Sequence, residues 1–409
     1  MRRVAVTGVG MVSPLGNDRA ALLAALRDGR PAVARLDEPF AARLAAPIGA
    51  VCRFDAAARF GAQRLRMLDR ASQFALAAAA DALADAGLQP GGSDPRRAGV
   101  AVGTALGGDR TRDDGYQTLY GEQSDRIKPF TVLMTMANAP AAWIGIEHGL
   151  RGPNLTYSTA CSSSAVAIGE SWRRIGAGEV DWMLAGGTEA PLTLGTLKAW
   201  EALRAVASVD PVDAAASCRP FALGRTGLVL GEGAAMLVLE AWDHAAARGA
   251  PILGELVGYG LCTDIDHITR PSVEGQAAAL RAALDSARLA PDRIDYVNAH
   301  GTGTPANDPV ETAAIRAVFG AHAQRLPVSS TKAMHGHLLG AAGALECAIA
   351  LLAMHDGFVP PTANLDAPDP QCDLDYVPNE ARAGVRLRTV LSSSFAFGGT
   401  NAVLVARAP

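Results

Sequence analysis

The sequence predicts an α/β protein built from two related halves. Strand-like runs alternate with alanine-rich helical runs along the whole chain, the pattern of buried sheets covered by helices. Alanine and glycine are abundant and aromatic residues make up only 5%, which suits helices packed closely on sheets and argues against disorder. A weak internal echo links the halves. Residues 158–170 form a small-residue turn feeding an apolar helix, and residues 329–350 repeat that logic. Each is followed by a run ending in apolar strand residues, 231–239 and 398–405.

Taken in order, residues 4–8 (Val-Ala-Val-Thr-Gly) read as a first strand. Residues 70–86 read as a helix with Gly87 as its stop. Residues 98–103 are strand-like and 133–147 helical. An extended region precedes Ser158-Thr-Ala-Cys-Ser-Ser-Ser164, and residues 165–174 follow as a helix. Further strands are expected at 182–187, 234–239 and 294–297. The halves divide near residue 250, into residues 1–250 and 251–409. No low-complexity linker separates them, so they are expected to pack as a unit.

With 409 residues the chain can bury a substantial core. A formal net charge of −4 gives no bulk signal for nucleic acid. Six scattered cysteines without a CxxC pair are neither a disulfide framework nor a zinc signature, and a reducing cytoplasm is the natural compartment. The N-terminus runs straight into a strand pattern and lacks the apolar region of a signal peptide. The longest apolar stretch, 338–354, is interrupted by Glu346 and rich in small residues, so it reads as a buried helix, not a membrane span.

Cys161 is the leading candidate nucleophile. A cysteine where a strand meets a helix start faces the positive end of the helix dipole, which lowers a thiol pKa and favours the reactive thiolate. Three other segments carry chemistry. In Asn298-Ala-His-Gly-Thr-Gly-Thr-Pro305, a histidine follows a strand and precedes a tight loop offering the hydroxyls of Thr302 and Thr304. Lys332-Ala-Met-His-Gly-His337 brings a fixed charge and two histidines to the start of the apolar helix. Ser392-Ser-Ser-Phe-Ala-Phe-Gly-Gly-Thr-Asn401 reads as a backbone turn beside a pocket, with amides able to serve as an oxyanion hole. Bland readings compete with each. A buried cysteine is usually structural, and an isolated histidine is more often a packed or surface residue. His335 and His337 suggest an H-x-H metal pair, but no third ligand stands at a familiar spacing. Gly8-Val-Gly10 after the first strand invites a dinucleotide reading, yet Ser13 stands where the third glycine belongs.

Together and in this order, the four segments closely resemble the β-ketoacyl-(acyl carrier protein) synthases, the elongating ketosynthases. The resemblance runs from residues 4–14 to 401–405, and residues 359–366 and 372–378 look like the type II branch. It implies the thiolase fold, two related α/β halves in a five-layered αβαβα arrangement, usually as a homodimer. It implies a Cys-His-His set, here Cys161, His300 and His337, with Lys332 and Glu346 as an ion pair that positions His337. Phe397 becomes the gate, its amide and that of Cys161 the oxyanion hole, and Phe395 and Ala396 its neighbours at the substrate. Thr269, Thr302 and Thr304 match residues that hold the pantetheine arm, although Arg270 stands where a serine is often found. Leu106 and His267 would line the acyl pocket. Arg64, Arg66 and Arg204 fall where an acidic acyl carrier protein docks. The implied reaction is decarboxylative condensation of an acyl group with malonyl-carrier, with no cofactor, metal, nucleic acid or membrane required.

Two departures bear on the substrate. The gate usually reads Gly-Phe-Gly-Gly and here reads Ala396-Phe-Gly-Gly399. The loop facing it reads Gly103-Thr-Ala-Leu-Gly-Gly108, and residues 116–126 are polar and aromatic in an unusual way. A non-housekeeping chain, such as a polyene, is therefore expected. Rival readings are a non-condensing chain-length-factor subunit, against which Cys161 argues, a thiolase acting on coenzyme A esters, against which the two histidines argue, and a binding-only scaffold. The dimer partner could be a second copy or a degenerate homologue.

Overall fold

Strand β1, Val4–Val12, is buried along its whole length, so both its faces must be covered. The computed structural model describes every residue from Met1 to Pro409 except Ser93. After β1 the N-terminal half contributes β2 (Ala98–Gly103), β3 (Asn154–Tyr157), β4 (Trp182–Glu189) and β5 (Gly233–Ala241). The C-terminal half contributes β6 (Gly254–Thr263), β7 (Tyr296–Asn298), β8 (Val328–Ser329), β9 (Thr389–Phe395) and β10 (Thr400–Arg407).

The strand order is β3-β2-β4-β5-β1 in the first half and β8-β7-β9-β10-β6 in the second. Pairing repeats as well: β2 runs parallel to β3 and β4, and β7 runs parallel to β8 and β9. The remaining ladders in each half are antiparallel. The two halves meet edge to edge, with Val4 opposite Leu256 and Val6 opposite Gly254.

Six helices complete the repeat: α1 (Arg70–Asp85), α2 (Ala139–His148), α3 (Ser163–Gly176), α4 (Val273–Ala287), α5 (Asn307–Phe319) and α6 (Ala342–Asp356). Helices α3 and α6 pack on each other and on the inner faces of both half-sheets. Helices α1 and α2 cover one outer face, and α4, with α5 against it, covers the other. This is the expected five-layered αβαβα arrangement. Helix α6 is buried nearly all round, as the apolar run around it predicts; with the turn before it, the stretch Leu339–Asp356 is long and apolar enough for a bilayer, but 89% of it is inside the protein.

Close helix–sheet packing explains Gly8 and Gly10. A Cβ at Gly8 would lie 2.3 Å from the Ala82 carbonyl oxygen, and one at Gly10 would lie 2.1 Å from that of Ala78, both on α1. On β6, Gly258 and Gly260 meet Ala283 and Ala279 of α4 in the same way. The Gly-Val-Gly run is thus a seat for a helix.

The single helix expected at 133–147 is two. A short helix, Thr131–Thr135, ends at extended Met136, and α2 begins at Ala139. The ring of Pro140 would strike the Met136 carbonyl if the helix ran through, so it restarts.

Candidate active site

Cys161 sits in a 3₁₀ turn, Ala160–Ser162, between β3 and α3. Ala160 holds a left-handed φ of 51°, uncommon for a residue with a Cβ, and this sharp turn carries Cys161 up to the start of the helix. Hydroxyls lock the turn: Ser163 Oγ donates to the Ala160 carbonyl (2.6 Å) and accepts from the Thr159 amide (2.9 Å), while Ser162 Oγ donates to the Thr159 carbonyl (2.9 Å).

The helix start predicts an acidic thiol, and the structure reverses that expectation. Cys161 is only 6% exposed, within an apolar cluster that includes Leu106, Leu197, Leu228 and Leu339. Burial pushes its thiol up to about 12, against the pull of the nearby Lys332 charge and of a backbone hydrogen bond from Phe397. Removing water from the sulfur outweighs both.

The C-terminal half supplies the partners. His337 Nε2 lies 3.0 Å from Cys161 Sγ. His300 packs edge-on to His337, with ring centroids 5.4 Å apart, and the sulfur and one nitrogen of each imidazole all fall within 4.8 Å of one another. Burial holds both histidines well below the usual imidazole range, and the Lys332 charge lowers them further, so both are neutral at pH 7. Lys332 is itself buried in an ion pair with Glu346, whose carboxyl burial pushes up to about 7 while the ammonium opposes that.

Carboxylates at the start of α5 hold the His300 loop. Glu311 accepts from the amides of His300 and Gly301 (both 2.7 Å) and from Asn307 Nδ2 (3.0 Å). Asp308 accepts from the amides of Phe221 (2.8 Å) and Gly303 (3.2 Å).

The Ala396–Gly399 turn closes over this set. Gly398 and Gly399 take φ of 84° and 79°, which favour glycine. The turn is pinned to a neighbouring loop, since the Gly398 amide donates to the Ile268 carbonyl (2.8 Å) and the Asp264 amide to the Gly399 carbonyl (2.8 Å). Ala396 is not among the residues with positive φ, so its methyl group costs nothing in this closed position. The Phe397 amide reaches Cys161, and the Phe397 ring stacks on Trp200, with centroids 5.8 Å apart and planes inclined by 24°. A cavity of about 400 Å³ leads in from the surface, and Cys161, His300, His337 and Phe397 all line it.

Against known proteins, residues 1–245 match the beta-ketoacyl synthase N-terminal domain and residues 253–366 its C-terminal domain. The chain belongs to the beta-ketoacyl synthase family. It is 44% identical over 403 residues to nodulation protein E of Rhizobium meliloti (strain 1021), covering 98% of each chain. It is 43% identical over 407 residues to 3-oxoacyl-[acyl-carrier-protein] synthase 2 of Coxiella burnetii, covering 99% of this chain and 98% of the relative. Among solved structures, the ketosynthase of a type II polyketide system in complex with its acyl-carrier protein superimposes with a TM-score of 0.92 at 33% identity, covering 100% and 99% of the two chains. The ishigamide ketosynthase/chain length factor gives 0.91 at 35%, with the same coverage.

Within this synthase, the other expected site residues fall in several places. Thr302, Thr304 and Thr269 line the cavity, the Thr302 and Thr304 hydroxyls 2.9 Å apart. Phe395 packs edge-on to His300 at 6.0 Å. Leu106 does lie in the apolar cluster with Cys161. His267 lines the cavity from an exposed position, and its Nδ1 accepts from the Thr269 amide at 3.1 Å. His335 takes no part in a metal pair with His337, because its ring nitrogens contact Thr331 Oγ1 (2.9 Å) and the Gly336 carbonyl (2.7 Å). Among the described residues, Cys161, His300 and His337 are the group whose donor atoms lie close enough together to hold a metal ion.

Of the arginines, Arg204 is exposed and lines the mouth, joined there by Arg270. Arg66 is exposed as well. Arg64 is engaged within the chain, donating to both carboxylate oxygens of Glu147 at 3.1 and 2.7 Å. Sequence reasoning missed Trp200, Glu311 and Glu189. Glu189 accepts from Thr104 Oγ1 (3.0 Å) and from the amides of Ala105 (2.7 Å), Leu106 (3.1 Å) and Gly340 (3.0 Å), fixing the loop opposite the gate. A lone buried acid at a strand end is the signal that could have found it.

Proposed function

We propose that this protein is a 3-oxoacyl-(acyl carrier protein) synthase, condensing an enzyme-bound acyl group with malonyl-carrier in fatty acid or polyketide chain elongation. The observation that carries the reading is the meeting of Cys161 with His300 and His337 beneath the Phe397 amide. Cys161 attacks an acyl thioester on the carrier's pantetheine arm, and the amides of Cys161 and Phe397 hold the tetrahedral oxyanion. The carbon–sulfur bond to the carrier breaks, and the proton lost by Cys161 ends on the departing pantetheine thiolate. Burial holds the resting thiol protonated, so its proton has to leave as the bond to the acyl carbon forms. Malonyl-carrier then enters, and the neutral imidazoles of His300 and His337 donate N–H to its thioester carbonyl. The bond to the carboxylate breaks, carbon dioxide leaves, and the resulting enolate carbon attacks the acyl carbon on Cys161. The bond from that carbon to Sγ breaks, releasing 3-oxoacyl-carrier and the Cys161 thiolate, which takes a proton from water. Thr269, Thr302 and Thr304 hold the arm. Substituting Cys161→Ala should abolish acyl uptake, read by intact mass, and condensation with it; continued condensation would overturn the reading.

The acidic carrier docks at the mouth beside Arg204, with Arg66 also available. The protein works as a dimer with a second copy or a homologous subunit. Exposed apolar residues between Tyr116 and Met136, among them Phe130, Val132 and Leu133, support a covered face there. Six free cysteines suit a reducing cytoplasm.

The acyl chain is a non-housekeeping one, such as a polyene. What favours this is the charged helix Asp109–Tyr116 after the Leu106 loop. Clear preference for long saturated over polyunsaturated acyl-carriers in a competition assay would refute it.

A further inference from the structure

Trp200 belongs to none of the segments that carry the chemistry, yet it stands where two of them meet. It lies on the helix Leu194–Ala202 and is half-buried. That helix has a firm base: Thr193 caps it, and Thr196 Oγ1 donates to the buried Asp109 carboxylate at 2.7 Å. The indole belongs to the apolar cluster around Cys161 and also lines the cavity leading in from the surface. Its stacking partner is the Phe397 ring.

Phe397 therefore has two attachments. Its ring rests on Trp200, and its amide reaches Cys161. Ring and amide belong to one residue on a turn whose other anchors are backbone hydrogen bonds to the loop at Asp264 and Ile268. Fixing the ring fixes the amide.

We propose that Trp200 is a positioning residue for the oxyanion hole: by stacking on Phe397 it sets the amide of that residue over Cys161. The stack is a latch as well: both rings line the cavity beside Cys161, so a chain entering there parts them, and closure returns the amide to its place.

The inference rests on the reading that Cys161 is acylated. It separates the two half-reactions. Acyl transfer to Cys161 needs the Phe397 amide, whereas decarboxylation of malonyl-carrier draws on His300 and His337. A stacked aromatic pair favours the latched state by roughly two- to tenfold over its unstacked alternative. In Trp200→Leu, the rate of Cys161 acylation at saturating acyl donor, followed by intact mass, should fall about tenfold more than the rate of malonyl-carrier decarboxylation measured without acyl donor. The donor concentration for half-saturation should change little, and Trp200→Phe should restore most of the loss. Phe397→Leu, which keeps the amide and removes the ring, should give the same split, and the two leucine substitutions together should cost no more than either alone. That pair keeps the test available if Trp200→Leu fails to fold. Equal losses in both half-reactions, no loss, or additive losses in the double variant would overturn the latch. An unmodified protein that never takes an acyl group on Cys161 would instead overturn the reading beneath it.

Discussion

The two halves of the molecule contain the same backbone device and use it differently. In the N-terminal half, Ala160 turns the chain with φ 51° into a 3₁₀ turn and then α3. In the C-terminal half, Leu339 does so with φ 45°, leading through the turn Leu339–Ala341 into α6. Position 161 is cysteine, and the matching position is Gly340. The neighbours account for the difference. Cys161 faces a cavity. A Cβ at Gly340 would lie 2.4 Å from the Ala105 amide nitrogen and 2.6 Å from Glu189 Oε2. The second turn is a buttress that presses on the Leu106 loop and leaves no room for a side chain. Its half contributes instead the two histidines and the gate. Repeating a fold supplies two equivalent turns, and the free volume beside each decides which becomes a reactive site.

The harshest challenge to this comparison is Gly340→Cys, which would give both turns a thiol. Overpacking against backbone should cost about 3 kcal/mol in urea unfolding, and mass spectrometry should find no acyl group at residue 340. A stable protein acylated at both positions would show the two turns to be interchangeable.

Glu189, which braces the buttress, gives a pH-dependent test. Burial pushes its carboxyl from 4.5 up to about 7. In that window the folded state binds more protons than the unfolded one, so this group's contribution to stability is lost as pH rises from 4.5 through about 7. Glu189→Gln lacks that loss. The stability gap between parent and variant should therefore move in the variant's favour by on the order of 3 kcal/mol from pH 4.5 to 7, by urea unfolding at each end. An unchanged gap would mean that Glu189 stays ionised throughout.

On the reactive side, His300 and His337 are held well below 6.5. Decarboxylation of malonyl-carrier should accordingly run at nearly constant rate between about pH 6 and 8, with no histidine inflection near 6.5. A twofold fall centred there would place a charged imidazole in the site. The smallest effect belongs to the surface. Arg204→Glu at the mouth should slow carrier-dependent turnover several-fold, more at low salt, and leave turnover of small thioesters unchanged. Arg64→Glu should act chiefly by breaking its pair with Glu147. Equal losses with carrier-bound and small substrates would remove Arg204 from docking.

Much of the architecture was readable from the order of residues. The strand at Ala98–Gly103 and the helix starting at Arg70 coincide with what composition and periodicity predict, because each has a continuous or periodic apolar face. The helix expected over 133–147 failed at one residue, Pro140, whose clash the apolar pattern does not register. Gly8 and Gly10 hinted at a nucleotide loop, but their purpose depends on a helix some 70 residues later. His267 stands in a segment with no helix or strand pattern, and only the path of its loop brings it to the cavity.

Local order determined which residues have the chemistry. Cys161, His300, His337, Lys332 and Phe397 stand in short segments whose composition already marks turns, helix starts and reactive groups, and those features depend on neighbours within a few positions. The tertiary structure decided what the residues experience. The elevated thiol of Cys161, the closed space at Gly340 and the stacking of Trp200 on Phe397 arise between segments more than 100 residues apart, and the histidines are kept neutral by burial first. Burial and contact distance set those properties, and both exist only once the two half-sheets have closed around α3 and α6.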